Sequence, residues 1–325
     1  MSRPIDRREF LGAAVAIGAG WALLPRLVEA KDGGGGDGVW LAGDLHTHTT
    51  YSHDVWSGPG DDNTPASDFY TLGWSPAEQI AIAEARLLDY LAITDHDDVR
   101  ALADPGYRSS RLTLIPGYEH SLSRGHAGCL GVTSRFTGIA TGTDEGALAL
   151  RDAVHDAGGL FILNHPFYGS GWRYSPLVRP DAVEVWNIGW PYRREIFGFT
   201  NTSENYKSLP YWEESFLASG RMPATGGSDN HWRSTTAIQG AGQPCTWVLA
   251  ADRTWPSILE AIRAGRTVVT AEPPGLGGIR LELSAERGAR RWLLGDTVPA
   301  GEGVVEVLAR AVSYTHLTLP TNREV

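Results

Sequence analysis

The chain has 325 residues, 42% hydrophobic and 20% charged, and carries a formal net charge of -10. That length buries a full core with room for one barrel-sized domain and a smaller one, and the composition excludes a disordered or fibrous protein. The acidic balance, without any Lys/Arg block, excludes nucleic acid as a partner, and two distant cysteines, Cys129 and Cys245, exclude a cysteine-rich zinc site.

At the N-terminus, residues 6–12 read Asp-Arg-Arg-Glu-Phe-Leu-Gly, an Ala/Gly-rich apolar stretch covers 11–24, and Val28-Glu29-Ala30 follows. A charged start, a short apolar run and a small-residue cut site make residues 1–30 a signal peptide. The run is too short and too mildly hydrophobic for a membrane span, so no stable span is expected after cleavage. Arg7 and Arg8 ahead of Phe10-Leu11 resemble the twin-arginine export signal. The twin-arginine machinery is therefore an expected partner and the location periplasmic or extracellular. Residues 31–38 form a Gly-rich linker.

From there short apolar runs alternate with helical patterns, which argues for an α/β domain over residues 39–272. Strands are predicted at residues 40–46, 90–94, 112–116, 160–164, 182–186 and 223–226. Between the first two, Ser75 can cap a helix, Pro76 suits its first position and Glu78 completes a capping box. Ile80, Ala83, Leu87 and Leu88 then share one face. A second helix is predicted at 144–157, ended by Gly158-Gly159, and a third at 255–264. Alternating segments at 279–283, 291–294 and 304–308 mark the first strands of a β-rich appendage over 273–311. Residues 312–325 resemble a translated sequencing-adapter end, so the native chain is expected to continue past Ala311.

Eight of the ten histidines fall at the ends of these strands. His46 and His48, two apart, close the first and share a face; His53 follows in a turn. Asp95-His96 closes the second strand. Glu119 and His120 follow the third, with His126 seven residues beyond Glu119. His165 closes the fourth, and Asp229 and His231 follow the last. Polar ligand-type residues delivered together at strand C-termini mark the active-site face of a (β/α) barrel, and their joint pattern points to a metal site.

The ordered motifs Asp44-Leu-His46-Thr-His48, Thr94-Asp95-His96, Pro116-Gly-Tyr-Glu119, Asn164-His165-Pro166 and Gly227-Ser-Asp229-Asn-His231 resemble those of the PHP (polymerase and histidinol phosphatase) family, over residues 40–235. The resemblance implies a distorted (β/α)7 TIM-like barrel holding two or three divalent ions. It places His46, His48, Glu119 and Asp229 at one metal site, Glu119, His126 and His165 at a second, and His53, His96 and His231 at a third. His53 stands where the family commonly has Asp. The segment around Ala264-Gly-Arg-Thr and the β-rich stretch after it resemble exported members with an appended β-domain.

His120 competes with His126 but alternates away from Glu119 on an extended strand. Mixed His and carboxylate ligands suit Zn, Mn or Fe. Three divalent ions against Glu119 and Asp229 leave a positive cluster, which favours a phosphorylated small-molecule substrate attacked by a metal-bridging hydroxide. Asp229 and Glu119 would thus be catalytic, and metal-bound water, or Asp95 or His231 if either is left uncoordinated, could protonate the leaving group. Asp95 is also expected to fix a ligand histidine. Arg173, Arg193 and Arg194 are candidate phosphate contacts. The aromatic stretch from Phe167 to Trp212 either lines a pocket or anchors the fold, and residues 55–73 either form a lid or an ordinary insertion. The same cluster could cleave a carbamate, ester or amide, and a non-catalytic exported metal- or ligand-binding protein is the reading from another class.

Overall fold

The computed structural model describes residues 38–55, 73–167, 171–188, 205–231 and 240–313. Residues 1–37, 56–72 and those after 313 lie outside that description. So do Arg193 and Arg194, and with them the expected signal peptide and most of the expected lid.

Strands in chain order are β1 (Val39–Asp44), β2 (Tyr90–Ala92), β3 (Thr113–Ile115), β4 (Gly117–Leu122), β5 (Gly125–Leu130), β6 (Leu160–Asn164), β7 (Ala182–Asn187) and β8 (Ala224–Gly227). They continue as β9 (Cys245–Ala250), β10 (Thr267–Thr270), β11 (Ile279–Arg287), β12 (Arg290–Leu293) and β13 (Glu306–Ser313). Helices are α1 (Pro76–Ala85), α2 (Asp144–Asp156), α3 (Asn205–Ser219) and α4 (Trp255–Arg263).

The architecture is mixed α/β. One five-stranded sheet runs β10-β9-β1-β2-β3 and a second runs β4-β5-β6-β7-β8. β1, β2 and β3 are parallel, as are β6, β7 and β8, but β9 runs antiparallel to β1 and β5 antiparallel to both its neighbours. Among the described residues, then, an unbroken ring of seven parallel strands is replaced by two mixed sheets. Their edges meet at two parallel bridges, Thr47 with Asn230 and His96 with Glu119. The Thr246 hydroxyl donates to the Gly226 carbonyl and accepts from the Gly226 amide, and the Thr267 hydroxyl donates to the Ala224 carbonyl, so β9 and β10 are tied to β8.

The β4–β5 hairpin escaped the sequence pattern. Its two-residue loop, Ser123-Arg124, has none of the Asn-Gly or Asp-Gly chemistry that signals a hairpin, and the left-handed turn is taken by Gly125 at φ 129° at the start of the second strand. α1 carries the expected capping box but stops a turn early, because Leu87 takes φ 59°. Ile80 and Ala83 still face inward, packing with Leu91, Ile93 and Trp247. A second cluster joins Leu41, Tyr90, Ile115 and Val248 of the first sheet and Ile258 and Ile262 of α4 to Leu130, Leu160 and Ile162 of the second sheet. Both cysteines are buried free thiols. No helix among the described residues is long and apolar enough to cross a membrane.

The last three strands form a separate antiparallel sheet, β12-β11-β13. On one face Ile279, Leu281, Leu283 and Ala285 lie opposite Ser313, Ala311, Ala309 and Val307. On the other, Arg280 is buried over the rings of Trp40 and Trp247 and pairs with Glu282. β13 runs to Ser313, so residues 312 and 313, read from sequence as the start of a foreign tail, pair with Arg280 and Ile279.

Candidate metal centre

The site begins where β1 ends. Alternation along Leu45-His46-Thr47-His48 turns Leu45 to the core and both histidines to one side, while the Thr47 hydroxyl donates to the Ala92 carbonyl at 2.8 Å. The Asp44 carboxylate accepts from the amides of His46 (3.0 Å), Ser228 (3.2 Å) and Gly242 (2.6 Å), clamping the end of β1 to the end of β8. Across that clamp the Asp229 amide donates to the His46 carbonyl and the His48 amide to the Asn230 carbonyl. From α1, Gln79 spans the junction, donating to the carbonyls of His48 and Asn230. Gly227 has to be glycine, since a Cβ there would collide with the Glu184 carboxylate and the His46 side chain. Asp229 and His165 both hold left-handed backbone, φ 49° and 26°, the kind of strain found where a side chain must be aimed.

The second sheet supplies the opposite wall. In the hairpin register Ser121 faces His126 and Glu119 faces Gly128, which puts Glu119 and His126 on one face and His120 on the other. His120 meets Asp97 at 2.8 Å instead. His126 pairs in turn with Asn164, whose side-chain amide donates to Glu119 Oε1 at 2.9 Å.

These elements converge on two carboxylates. Glu119 Oε2 lies 3.3 Å from His46 Nε2, 3.4 Å from His48 Nε2 and 3.1 Å from His96 Nδ1. Glu119 Oε1 lies 3.1 Å from His165 Nε2 and 3.3 Å from His126 Nδ1. Asp229 Oδ1 is 3.3 Å from His46 Nε2, 3.1 Å from His48 Nε2 and 3.3 Å from His231 Nδ1. Both Glu119 Oε2 and Asp229 Oδ1 are buried and accept no hydrogen bond. Buried carboxylate oxygens are normally satisfied, so imidazole nitrogens crowded round two that are not form a donor set suited to cations. Three groups have donor atoms within 4.8 Å of one another: His46, His48, Glu119 and Asp229; His96, Glu119 and His126; and His48, His96 and His231.

Hydrogen bonds behind the cluster aim the rings. Glu184 Oε1 holds His46 Nδ1 at 3.0 Å, and its other oxygen accepts from the His165 amide at 2.8 Å and the Asn187 side-chain amide at 3.1 Å. The Asn187 amide also donates to Asp229 Oδ2 at 3.1 Å. Ser52 Oγ holds His48 Nδ1 at 2.8 Å, and Ser121 Oγ stands 2.9 Å from His96 Nδ1.

Electrostatics follow from this packing. Burial pushes the Glu119 and Asp229 carboxyls up, but His46 and the other surrounding imidazoles hold both well below the usual carboxylate range. Burial lowers His46 and His231, yet Asp229, with Glu119 and Glu184 around His46 and Asp54 at His231, raises both, His231 to about 9. Burial raises Asp44 and Asp95 to about 6.

The structure moves several residues from their expected places. His53 was expected at the third site; its ring lies 5.0 Å from that of His96, and the next residue, Asp54, adds a carboxylate at His231 Nε2 (3.0 Å) and His96 Nε2 (3.4 Å). Asp95 was expected to fix a ligand histidine. It accepts instead from the Thr49 amide (2.5 Å) and hydroxyl (2.7 Å), holding the turn that follows His48. Arg173 is exposed and donates to the Ser123 carbonyl. Of the aromatic stretch, Trp172 lies tilted against Tyr174, Phe167 meets Tyr211 edge-on, and Trp212 donates to the Met222 carbonyl, so these rings anchor the fold. Glu184 and Asn187 went unnoticed in the sequence. The signal was there: one acid inside the buried run Ala182-Val-Glu184-Val-Trp-Asn187.

No protein-family model matches the chain, and no curated protein matches it. Among solved structures it is similar to a two-domain protein from Bacteroides vulgatus, described as containing a predicted PHP-like metal-dependent phosphoesterase, at 14% identity over 87% of this chain and 89% of that one, TM-score 0.47. A Bifidobacterium adolescentis protein, described by prediction as a metal-dependent phosphoesterase, matches at 14% identity over 62% and 90%, TM-score 0.36. An amidohydrolase from Chromobacterium violaceum matches at 18% identity over 61% and 89%, TM-score 0.35.

Proposed function

We propose that this chain is a PHP-type metal-dependent hydrolase acting on phosphoesters, with two or three divalent ions of the Zn, Mn or Fe class as cofactors. The observation that carries the reading is the pair of buried oxygens, Glu119 Oε2 and Asp229 Oδ1, ringed by imidazoles and accepting no hydrogen bond. His46, His48, Glu119 and Asp229 would hold one ion; Glu119, His126 and His165 a second; His96, His231 and Asp54 a third. Such ions would supply an activated water and neutralise charge gathering on the phosphoryl oxygens.

The protein's own part is to orient and to exclude. Glu184 and Ser52 hold the Nδ1 atoms of His46 and His48, which face away from the cluster, and Ser121 stands at His96 Nδ1 beside Glu119 Oε2. Asn164 and Asn187 hold the two carboxylates. Both oxygens of Asp95 are engaged by Thr49, so we assign Asp95 to holding the turn; His231 would serve as proton donor only where the third site holds no ion, and metal-bound water otherwise. With Asp54 added, three carboxylates face up to six cationic charges, and the net positive field still favours an anionic substrate.

We read the two sheets, bridged at both edges, as halves of one distorted barrel, the strands at 279–313 as an appended β-domain, and residues 1–30 as a twin-arginine signal for export to the periplasm or beyond. An amide, carbamate or ester hydrolase would use the same ions, and of the aromatic stretch Trp172, Tyr174, Phe167, Tyr211 and Trp212 pack into the fold while Tyr206 is exposed. The test is a panel of aryl phosphates, phosphodiesters, carbamates and esters assayed with Mn, Fe and Zn. Phosphoester turnover that Asp229→Asn abolishes is expected; turnover only of carbamates or amides would overturn the substrate class, and metal uptake without turnover of any of them would favour a binding protein.

A further inference from the structure

His96 stands between two candidate ion sites. It has a donor atom within 4.8 Å of those of Glu119 and His126, and one equally close to those of His48 and His231. Its Nδ1 lies 3.1 Å from Glu119 Oε2, on the side of the first group. Its Nε2 lies 3.4 Å from Asp54 Oδ2, which is itself 3.0 Å from His231 Nε2. A neutral imidazole offers a cation one lone pair and keeps one N–H, so one of the two nitrogens must be withdrawn.

Distance favours Nδ1 as the ligand atom, but its hydrogen bonding does not. Of the two oxygens beside it, Glu119 Oε2 accepts no hydrogen bond, whereas Ser121 Oγ is bonded to it at 2.9 Å. The direction of that bond is set by what lies behind Ser121. The Ser121 hydroxyl is hydrogen-bonded to the Asp97 carboxylate. Asp97 Oδ1 also lies 2.8 Å from His120 Nδ1 and 3.4 Å from Arg135 Nη2. A carboxylate in that company is ionised and only accepts, so the single Ser121 proton goes to Asp97 and Ser121 must accept from His96 Nδ1–H.

Asp97 is held where it can do this. Its backbone takes φ 50°, unusual for a residue with a side chain, and its amide donates to the Glu119 carbonyl at 2.8 Å. The parallel bridge between His96 and Glu119 lays this turn along β4, the outer strand of the second sheet, within reach of both His120 and Ser121. His120, which alternation turns away from Glu119, thus has a use as a brace for Asp97.

We propose that Asp97 and Ser121 are positioning residues that commit His96 to the third ion: Nδ1–H donates to Ser121, Ser121 donates to Asp97, and Nε2 is left to join His231 and Asp54. Neither residue is a ligand, yet the pair decides whether His96 completes the third site or turns to the second. The proposal rests on the metal-centre reading and not on which bond is hydrolysed there.

The test has two readouts, one of them free of metal. In the full chain stripped by a chelator, at about pH 8 and so above the ordinary imidazole value of about 6.5, proton–nitrogen correlation spectra should show His96 protonated at Nδ1. Its signals are those lost in His96→Gln. Ser121→Ala should shift the ring towards the Nε2–H form, and Ser121→Thr, which restores a hydroxyl, should keep Nδ1–H. The second readout is calorimetric titration of the same proteins with Zn(II), bound ions being counted by elemental analysis. One site should weaken by about 10–100-fold in Ser121→Ala and in Asp97→Gly, with the others unchanged and Ser121→Thr restored. Glycine tolerates left-handed backbone, so Asp97→Gly removes the carboxylate without adding strain. Adding Asp54→Ala to Ser121→Ala should weaken no further site. An Nε2–H ring in the unaltered chain, equal weakening at every site in Ser121→Ala, or Zn(II) binding that Ser121→Ala leaves unchanged would overturn the proposal while leaving the metal centre standing. Zn(II) bound nowhere in the unaltered chain would sink both.

Discussion

Two regions of this molecule invert the ordinary rule that apolar groups go inside and charged ones outside. Around Glu119 the chain buries carboxylates and imidazoles almost completely, Glu119 and His48 at 0% exposure. On the β11–β13 sheet it leaves Val307 75% and Ile279 51% exposed. The first inversion is held together by direction: each buried charge faces an opposite one or a fixed hydrogen bond, and what is left over points inward at shared space. The second has no such organisation, since apolar side chains need only area. A buried charged cluster thus reads as a site, while an apolar face reads as uncovered surface, and the two should respond differently to substitution.

The largest effect is expected at Glu119, whose two oxygens touch five imidazoles. Glu119→Gln should lower metal content, measured by elemental analysis, and hydrolysis by more than about 100-fold, beyond the range seen on changing a ligand's hydrogen-bonding partner. Retention of full metal content would break the comparison, because the burial would then be mere packing. Glu184→Gln should sit within that lesser range, about 10–100-fold in metal affinity, since it leaves every donor atom but frees His46 to turn. Metal uptake should also release protons. His46 and His231 are raised in the metal-free protein, His231 to about 9, so both carry protons at neutral pH that a cation must displace. Affinity should therefore fall as pH is lowered and rise as pH climbs towards about 9, by about tenfold per unit for each proton displaced, as calorimetry in buffers of different ionisation enthalpy would show.

Smaller effects belong to the other region. Ile258→Ala, in the covered core, should cost about 2–5 kcal/mol in denaturant unfolding, whereas Leu281→Ser on the open sheet face should stay within about 0.5 kcal/mol. A large loss at Leu281 would mean that this face is covered in solution. Smallest of all, His53→Ala should leave metal affinity nearly unchanged while Asp54→Ala weakens it, a direct check on which of the two neighbours serves the cluster.

Much of the site is legible along the chain. His46 and His48 share a face because alternation in an extended strand is a local property, and Asp95-His96, His165 and Asp229 follow strands whose apolar runs announce them. His120 turns away from Glu119 for the same reason. The capping box at Ser75 and Glu78 forms as written, being closed within one turn.

What lay beyond that reach depends on partners distant in sequence. His126 reaches Glu119 only through the register of a hairpin whose loop carries no turn signal. Glu184 matters because β7 sets it beside His46, 138 residues away. Asp54 reaches His96 and His231 because the turn after His48 is pinned from outside, by Asp95 on Thr49 and by the Ser52 hydroxyl between the His48 ring and the His96 amide. The amino-acid sequence by itself determined the residue types, their strand-end spacing and the expectation of a metal cluster, all consequences of backbone periodicity. The tertiary structure decided that Asp54 joins the cluster, which acid braces which imidazole, and that Arg151, Arg179, Arg221 and Arg263 meet at the far end of the strands. Those are contacts across the chain, and no local period encodes them.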